Sequence, residues 1–329
     1  MTNATDQVSI RRKMGRLAPV LPALIVSVAA AIAFILFPYD LAFLTRIVIM
    51  MIFVLSFDLI LGYAGIATLG HAAMYGCGAY AAGLVSLHLA SDPLIGLLAG
   101  AVAGALIAWI SGCVLLRAQG VALLMISIAV TMVLQETASQ ARWLTGGADG
   151  LAGITVSPLL GMFEFDFVGQ VAFVYSVCIL IAVLIFCCIL ASSPFGLALR
   201  GIEGSASRMR AIGTPVYRRK VTVYVIAGAI AGIAGALAAQ VTGLVGIEVF
   251  NFSLSADVMV MLIVGGAGRL YGALVGTLVF MVVHHIAAGI DPFNWLFVIG
   301  FMLLIIVFAL PKGLISLPDR LVALLRRKP

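Results

Sequence analysis

Five stretches of this chain carry no charged residue over a length that matches a bilayer: Leu17 to Tyr39, Pro93 to Leu116, Phe167 to Leu199, Val221 to Ile247 and Pro292 to Pro311. A helix needs roughly 20 apolar residues to cross the hydrocarbon layer. Backbone polar groups in lipid must bond within their own segment, which selects helices over open strands. The intervening stretches are also apolar and are interrupted by single charges. With 64% hydrophobic and 10% charged residues, the composition lies outside the range of soluble globular domains. The expected fold is an all-α integral membrane protein, a polytopic helical bundle of about ten transmembrane spans. The predicted spans are 17–37, 41–61, 66–88, 93–116, 119–141, 168–191, 220–245, 255–268, 270–290 and 292–311.

Charge gives the bundle a side. Alternating spans from a cytoplasmic N-terminus puts all but Arg46 and Arg142 of the nineteen Lys/Arg inside. The acids Asp40, Asp92, Asp149, Glu164, Asp166, Glu248 and Asp291 then fall outside, as the excess of cations in cytoplasmic loops requires. Both termini are therefore expected in the cytoplasm. The domain plan is a tail at 1–16, one transmembrane domain at 17–311 that includes a cytoplasmic loop at 193–220, and a tail at 312–329. The basic N-terminus resembles a secretion signal, but the apolar run after it is too long for a signal core and reads as a retained first span. The eighth span is the weak point: the helix from Asp257 to Arg269 is too short to cross alone. It is expected to start earlier, to break at Gly265–Gly268, or to form a re-entrant hairpin with the ninth. Glycines at four-residue spacing (Gly96, Gly100, Gly104; Gly228, Gly232; Gly268, Gly272, Gly276) let helices approach closely. Internal packing is favoured over a seam between subunits.

Six of the basic residues lie in one loop, 193–220: Arg200, Arg208, Arg210, Arg218, Arg219 and Lys220. Ser193-Pro194 ends the preceding span, since proline disfavours helix in the residue before it. Two short helical pieces follow, stopped by Gly213-Thr214-Pro215. Apolar residues between the cations suit docking into a groove on another protein, whereas cations alone suit anionic lipid headgroups. The five cysteines form no metal-binding spacing and read as buried small hydrophobes. His71 reads as a packed, hydrogen-bonded histidine. Adjacent His284 and His285 point to different helix faces and do not suggest a metal site.

The stretch "FGLALRGIEGSASRMRAIGTPVYRRKVTVYVIAGAIAGIAGAL" resembles the cytoplasmic coupling loop and following span of branched-chain amino acid ABC transporter permeases of the M type. Three further segments match in family order: "DLILGYAGIATLGHAAMYGCGAYAAGL" (58–84), "LTGGADGLAGI" (144–154) and "VMVMLIVGGAGRLYGALVG" (258–276). Together they cover most of residues 41 to 311. The resemblance implies an import permease that pairs with a homologous second permease subunit. It also implies two ABC ATPase subunits and a periplasmic substrate-binding protein. It implies that Leu199, Arg200, Ile202, Glu203, Arg208, Met209, Arg210 and Gly213 form the ATPase-coupling segment. At Asp58 the family often carries Asn, so an acid there is a departure that bears on the substrate.

Intramembrane acids are costly and usually face a bundle interior or a watery cavity. Asp58, beside the Gly-rich "GYAG" break with Tyr63, and Glu136 and Asp257 are the candidates for a translocation pathway; each is alternatively a structurally paired or interfacial group. The sequence has no GxxxxGK[ST] phosphate loop, so ATP hydrolysis falls to a partner. No catalytic cluster, metal set, cofactor or nucleic-acid partner is expected; the partners are protein subunits, membrane lipid and an amino acid or related small substrate. Branched-chain amino acids are the first expectation for that substrate, with urea, short amides or aromatic acids as alternatives. A secondary carrier driven by an ion gradient is the reading from another class, but such a carrier has no use for a coupling loop. An integral-membrane enzyme would need clustered polar catalytic groups.

Overall fold

The computed structural model describes residues 20–158, 169–291, 295–309 and 313–316. The helices in chain order are α1 (Val20–Leu36), α2 (Leu41–Asp58), α3 (His71–His88), α4 (Pro93–Leu115), α5 (Val121–Gln140), a short α6 (Arg142–Thr145) and α7 (Gln170–Ser192). They continue with α8 (Pro194–Gly204), α9 (Ala206–Ala211), α10 (Val216–Thr242), α11 (Phe252–Gly265), α12 (Leu270–Ile290) and α13 (Trp295–Ala309). A helix coincides with each expected span to within a few residues. Six helices are long and apolar enough to cross a membrane by length and composition: Leu41–Tyr63, Pro93–Leu115, Val121–Gln140, Gln170–Ser192, Val216–Thr242 and Leu270–Ile290. The chain is thus an all-α, multi-pass membrane protein. The tails at 1–16 and 317–329, with Lys312, Glu164 and Asp166, lie outside the described residues.

Local signals explain several boundaries. Asp92 caps α4 by accepting a hydrogen bond from Leu94 N at 3.0 Å, with Pro93 in the first turn. Ser193 accepts from Gly196 N at 3.3 Å and starts α8 after α7 has ended at Ser192. Gly213, at φ +85°, closes the turn before α10. The eighth expected span is α11, 14 residues long. It starts at Phe252, ahead of Asp257, and ends where Gly266 and Gly268 take positive φ before α12 begins.

The core is a three-helix contact in which α10 packs along α3 and α4. Glycine makes this possible. A Cβ on Gly232 would run into the carbonyl oxygen of Gly100, and one on Gly78 into the backbone of Gly232. Gly272 and Gly276 do the same for α11 against α12, where added Cβ atoms would meet the backbone of Gly265 and Met261. The four-residue glycine faces are therefore internal seams. Large apolar side chains remain exposed on the flanks, among them Leu98, Trp109, Val121, Met125 and Phe301, as a lipid-facing surface requires.

One feature has no counterpart in the reading of the sequence. Leu151–Ala152 (β1) pairs antiparallel with Leu244–Val245 (β2), registering Leu151 with Val245 and Ala152 with Leu244. This two-stranded clip joins the segment after α5 to the end of α10.

Candidate translocation and coupling site

Helix α2 does not stop at Asp58. It widens into a π-helical turn over Leu59–Tyr63 and ends at Gly65, where φ is +63°. π-turns of this kind leave local backbone groups outside the regular ladder and recur at functional positions. The glycine-rich break after α11 packs onto this turn. Asp58 Oδ1 accepts a hydrogen bond from Gly268 N at 2.7 Å. Gly62 lies so close to Gly268 that any side chain at 62 would overlap Gly268 and the Asp58 carboxylate. Two interrupted helices thus meet at one buried carboxylate. Asp58 is fully buried, and its Oδ2 has no hydrogen-bond partner among the described residues. A buried acid normally has its oxygens satisfied, so this one stands out.

Helix α8 reaches the same place from the other direction. In α8, Gly196, Leu199 and Ile202 lie on one buried face at three-residue spacing, while Leu197, Arg200 and Glu203 are exposed. Arg200 Nη2 donates to the Tyr63 hydroxyl at 3.2 Å, and its guanidinium lies 4.7 Å from the centre of the Tyr63 ring. Both contacts are favourable for a planar cation. Arg200 is also within electrostatic reach of Asp58. Glu203 lies against Gly65, at the end of the π-turn. Residues expected to belong to two sites, coupling and pathway, gather at the one π-turn: Glu203 against Gly65, Arg200 on Tyr63, and Asp58 bonded to Gly268.

The outward face of the loop differs from the expectation. Leu199 is 1% and Ile202 2% exposed, both inside this chain's own core. Their side chains seat α8 on the membrane domain and do not stand on its free surface. Met209 is half-buried and packs against Gly201, tying α9 to α8. The residues left facing outward are Leu197 (62% exposed), Arg208, Arg210, Gly213 and Ile212 (73% exposed). Leu197 and Ile212 are the apolar members that the sequence reading missed as surface residues, because helical spacing shows which residues share a face and not which face stays uncovered.

The remaining candidates stand apart. Glu136 is exposed on α5 and accepts from Gln140 Nε2 of its own helix at 2.8 Å, so the structure does not bring it to Asp58. Asp257 is half-buried in α11. His71 is packed as expected: it is fully buried, 2.7 Å from Ser56 Oγ through Nε2, and stacked on Phe53 with ring centres 5.2 Å apart. His284 and His285 contact different rings, Phe280 and Phe43 respectively. No group of three or more His, Cys, Asp or Glu able to hold a metal ion occurs among the described residues.

A multi-pass bundle in which a π-turn and a helix break meet at a buried acid, with a basic loop seated on the turn, has the architecture of a membrane transport component. Residues 40–307 match the family described as "Branched-chain amino acid transport system / permease component", and the chain belongs to that family. It is similar to the high-affinity branched-chain amino acid transport system permease protein LivM of Escherichia coli, at 27% identity over 84% of this chain and 70% of the relative. The LivM protein of Salmonella typhimurium matches to the same extent. A probable LivM permease of Methanocaldococcus jannaschii is 25% identical over 72% of this chain and 74% of its own length. No solved structure matches. As a permease component, the chain is one part of a transport system with further subunits.

Proposed function

We propose that this chain is the membrane-spanning subunit of an ATP-driven (ABC) importer for branched-chain or related amino acids. It crosses the bacterial inner membrane about ten times with both termini in the cytoplasm, a reading supported by the near-complete segregation of Lys and Arg to one side. It pairs with a homologous permease and two ATPase subunits, and a periplasmic binding protein delivers the substrate. The chain itself is not an enzyme; ATP is hydrolysed by its partners. The family match favours an amino acid over urea, short amides or aromatic acids.

The observation that carries the mechanism is the contact of Arg200 with Tyr63. Leu197, Arg208, Ile212 and Gly213 form the surface on which an ATPase acts, while Leu199, Ile202 and Met209 make α8 and α9 move as one piece with the bundle. Movement of α8 reaches the π-turn through Arg200 and Glu203. There Asp58 holds the break of α2 to the break before α12, and shifting either break changes what the free Oδ2 faces. That oxygen is an acceptor for the ammonium group of a passing amino acid or for a proton. Asp257 lines a different part of the route, and Glu136 belongs to its rim.

The test is reconstitution. The complex with its ATPases should show substrate-stimulated ATP hydrolysis and uptake against a gradient. Concentrative uptake by the purified chain alone, driven by an ion gradient, would replace this reading with that of a secondary carrier.

A further inference from the structure

The six basic residues of the 193–220 loop do not act as one patch. Arg200 is engaged with Tyr63, and Arg219 lies over the Phe195 ring at 5.5 Å. Arg208 faces outward from α9. The other three, Arg210, Arg218 and Lys220, converge with Arg117, from the loop between α4 and α5, on a cavity of ≈ 640 Å³. No carboxylate lines it. None of the four forms a salt bridge with an acid among the described residues. Lys220 is half-buried and close enough to Arg210 for the two like charges to interact. Four cations gathered around a shared hollow without a counter-charge repel one another, and an anion between them removes that cost.

The walls indicate which anion. Leu116, Leu123 and Val216 give the cavity an apolar floor. Tyr217 stands at its edge, its hydroxyl donating to Cys113 O at 2.8 Å, an amphipathic placement usual at the membrane interface. The cavity opens where α4 ends and α5 begins, and these two are the least covered of the six spans, 28% and 22% buried. Val114, Val121 and Met125 stay exposed beside it. Acyl chains are the natural cover for those side chains, and a headgroup attached to such chains sits at the level of the cations.

We propose that Arg117, Arg210, Arg218 and Lys220 form a binding pocket for the phosphate of an anionic phospholipid, whose acyl chains lie along α4 and α5. The chemistry selects a phosphate monoanion without a balancing ammonium, so phosphatidylglycerol is taken and phosphatidylcholine is not. Basic pockets between spans on the cytoplasmic side bind anionic headgroups in this way.

The test uses the purified full-length chain in detergent, stripped of lipid and titrated with phosphatidylglycerol or phosphatidylcholine while bound lipid is counted by native mass spectrometry. Phosphatidylglycerol should be retained preferentially. Arg117→Gln and Lys220→Gln should each weaken it roughly fivefold, the effect of one basic group near an anionic membrane surface. Arg117→Lys should restore most of the loss, and Arg142→Gln, remote from the cavity, should change nothing. Single variants are compared because Arg117 is exposed on a loop and its replacement leaves the packing intact. Equal retention of both lipids overturns the proposal, as does unchanged phosphatidylglycerol binding in both Gln variants. Displacement of the lipid by inorganic phosphate at equal concentration assigns the pocket to a free anion instead. Loss of ATPase co-purification in the Arg117→Gln complex, with lipid retention intact, assigns it to the protein interface.

Discussion

At the scale of single residues, Asp58 concentrates the chemistry. Asp58→Asn keeps an oxygen to accept from Gly268 N but replaces the free Oδ2 with a donor and removes the charge. The expected outcome is a normally assembled complex with altered transport rate or substrate preference, measured by uptake in proteoliposomes alongside co-purification. Gly62→Ala should behave differently. Its methyl group has no room between Asp58 and Gly268, and overpacking of this kind costs about 1–3 kcal/mol. A lowered melting temperature with reduced yield is expected, checked by thermal unfolding in detergent. Asp58 was conspicuous in the sequence, because an acid beside a Gly-rich interruption in an apolar run is costly. Its partner was not. Gly268 is 210 positions away, and a backbone N–H carries no compositional signal. Tyr63 and Arg200, 137 positions apart, were each recognisable as functional candidates but not as neighbours.

At the scale of elements, the basic loop divides into an inner and an outer face. Ile202→Ala removes a fully buried side chain, a change that typically costs about 2–5 kcal/mol. It should loosen α8 from the bundle even without an ATPase present, measured as faster hydrogen exchange across 194–211 in the isolated chain. Arg208→Glu, on the exposed face, should leave that exchange unchanged and weaken ATPase association in a salt-dependent way, because exposed charges are screened by ions. Equal effects of both on the isolated chain would erase the distinction between faces. The two helices and their stop at Gly213 follow from the proline and glycine positions, which act locally. Which face turns inward depends on the groove left by α2 and α10, and only the assembled bundle fixes that. The β1–β2 clip escaped notice for a related reason: two residues per strand are too few to show an alternating pattern.

At the scale of the whole molecule, glycine seams bring backbones into close approach where α10 meets α3 and α4 and where α11 meets α12. Gly232→Val places two methyl-bearing branches where Gly100 already touches. The expected result is separation of α10 from α4 and loss of the folded chain, read as aggregation on size-exclusion chromatography. The same volume added at Gly289, around which an extra carbon meets nothing, should be tolerated. Helix positions throughout were readable because apolar length dictates them. How many of these helices traverse the bilayer fully was not, since α11 is short and gains its place by pairing with α12.

Helix α10 also has a mechanical consequence. It is one unbroken element of 27 residues, a rod of about 40 Å at the rise of an α-helix. One end emerges from the turn that closes α9, and the other runs into the strand of the clip. α2, by contrast, departs from the regular α-helical ladder at its π-turn. The molecule therefore pairs a stiff connecting rod with an interrupted arm along the same core. If the basic loop takes the load proposed for it, the rod leads from that loop to the clip, and the π-turn beside the buried carboxylate is the place where α2 can give.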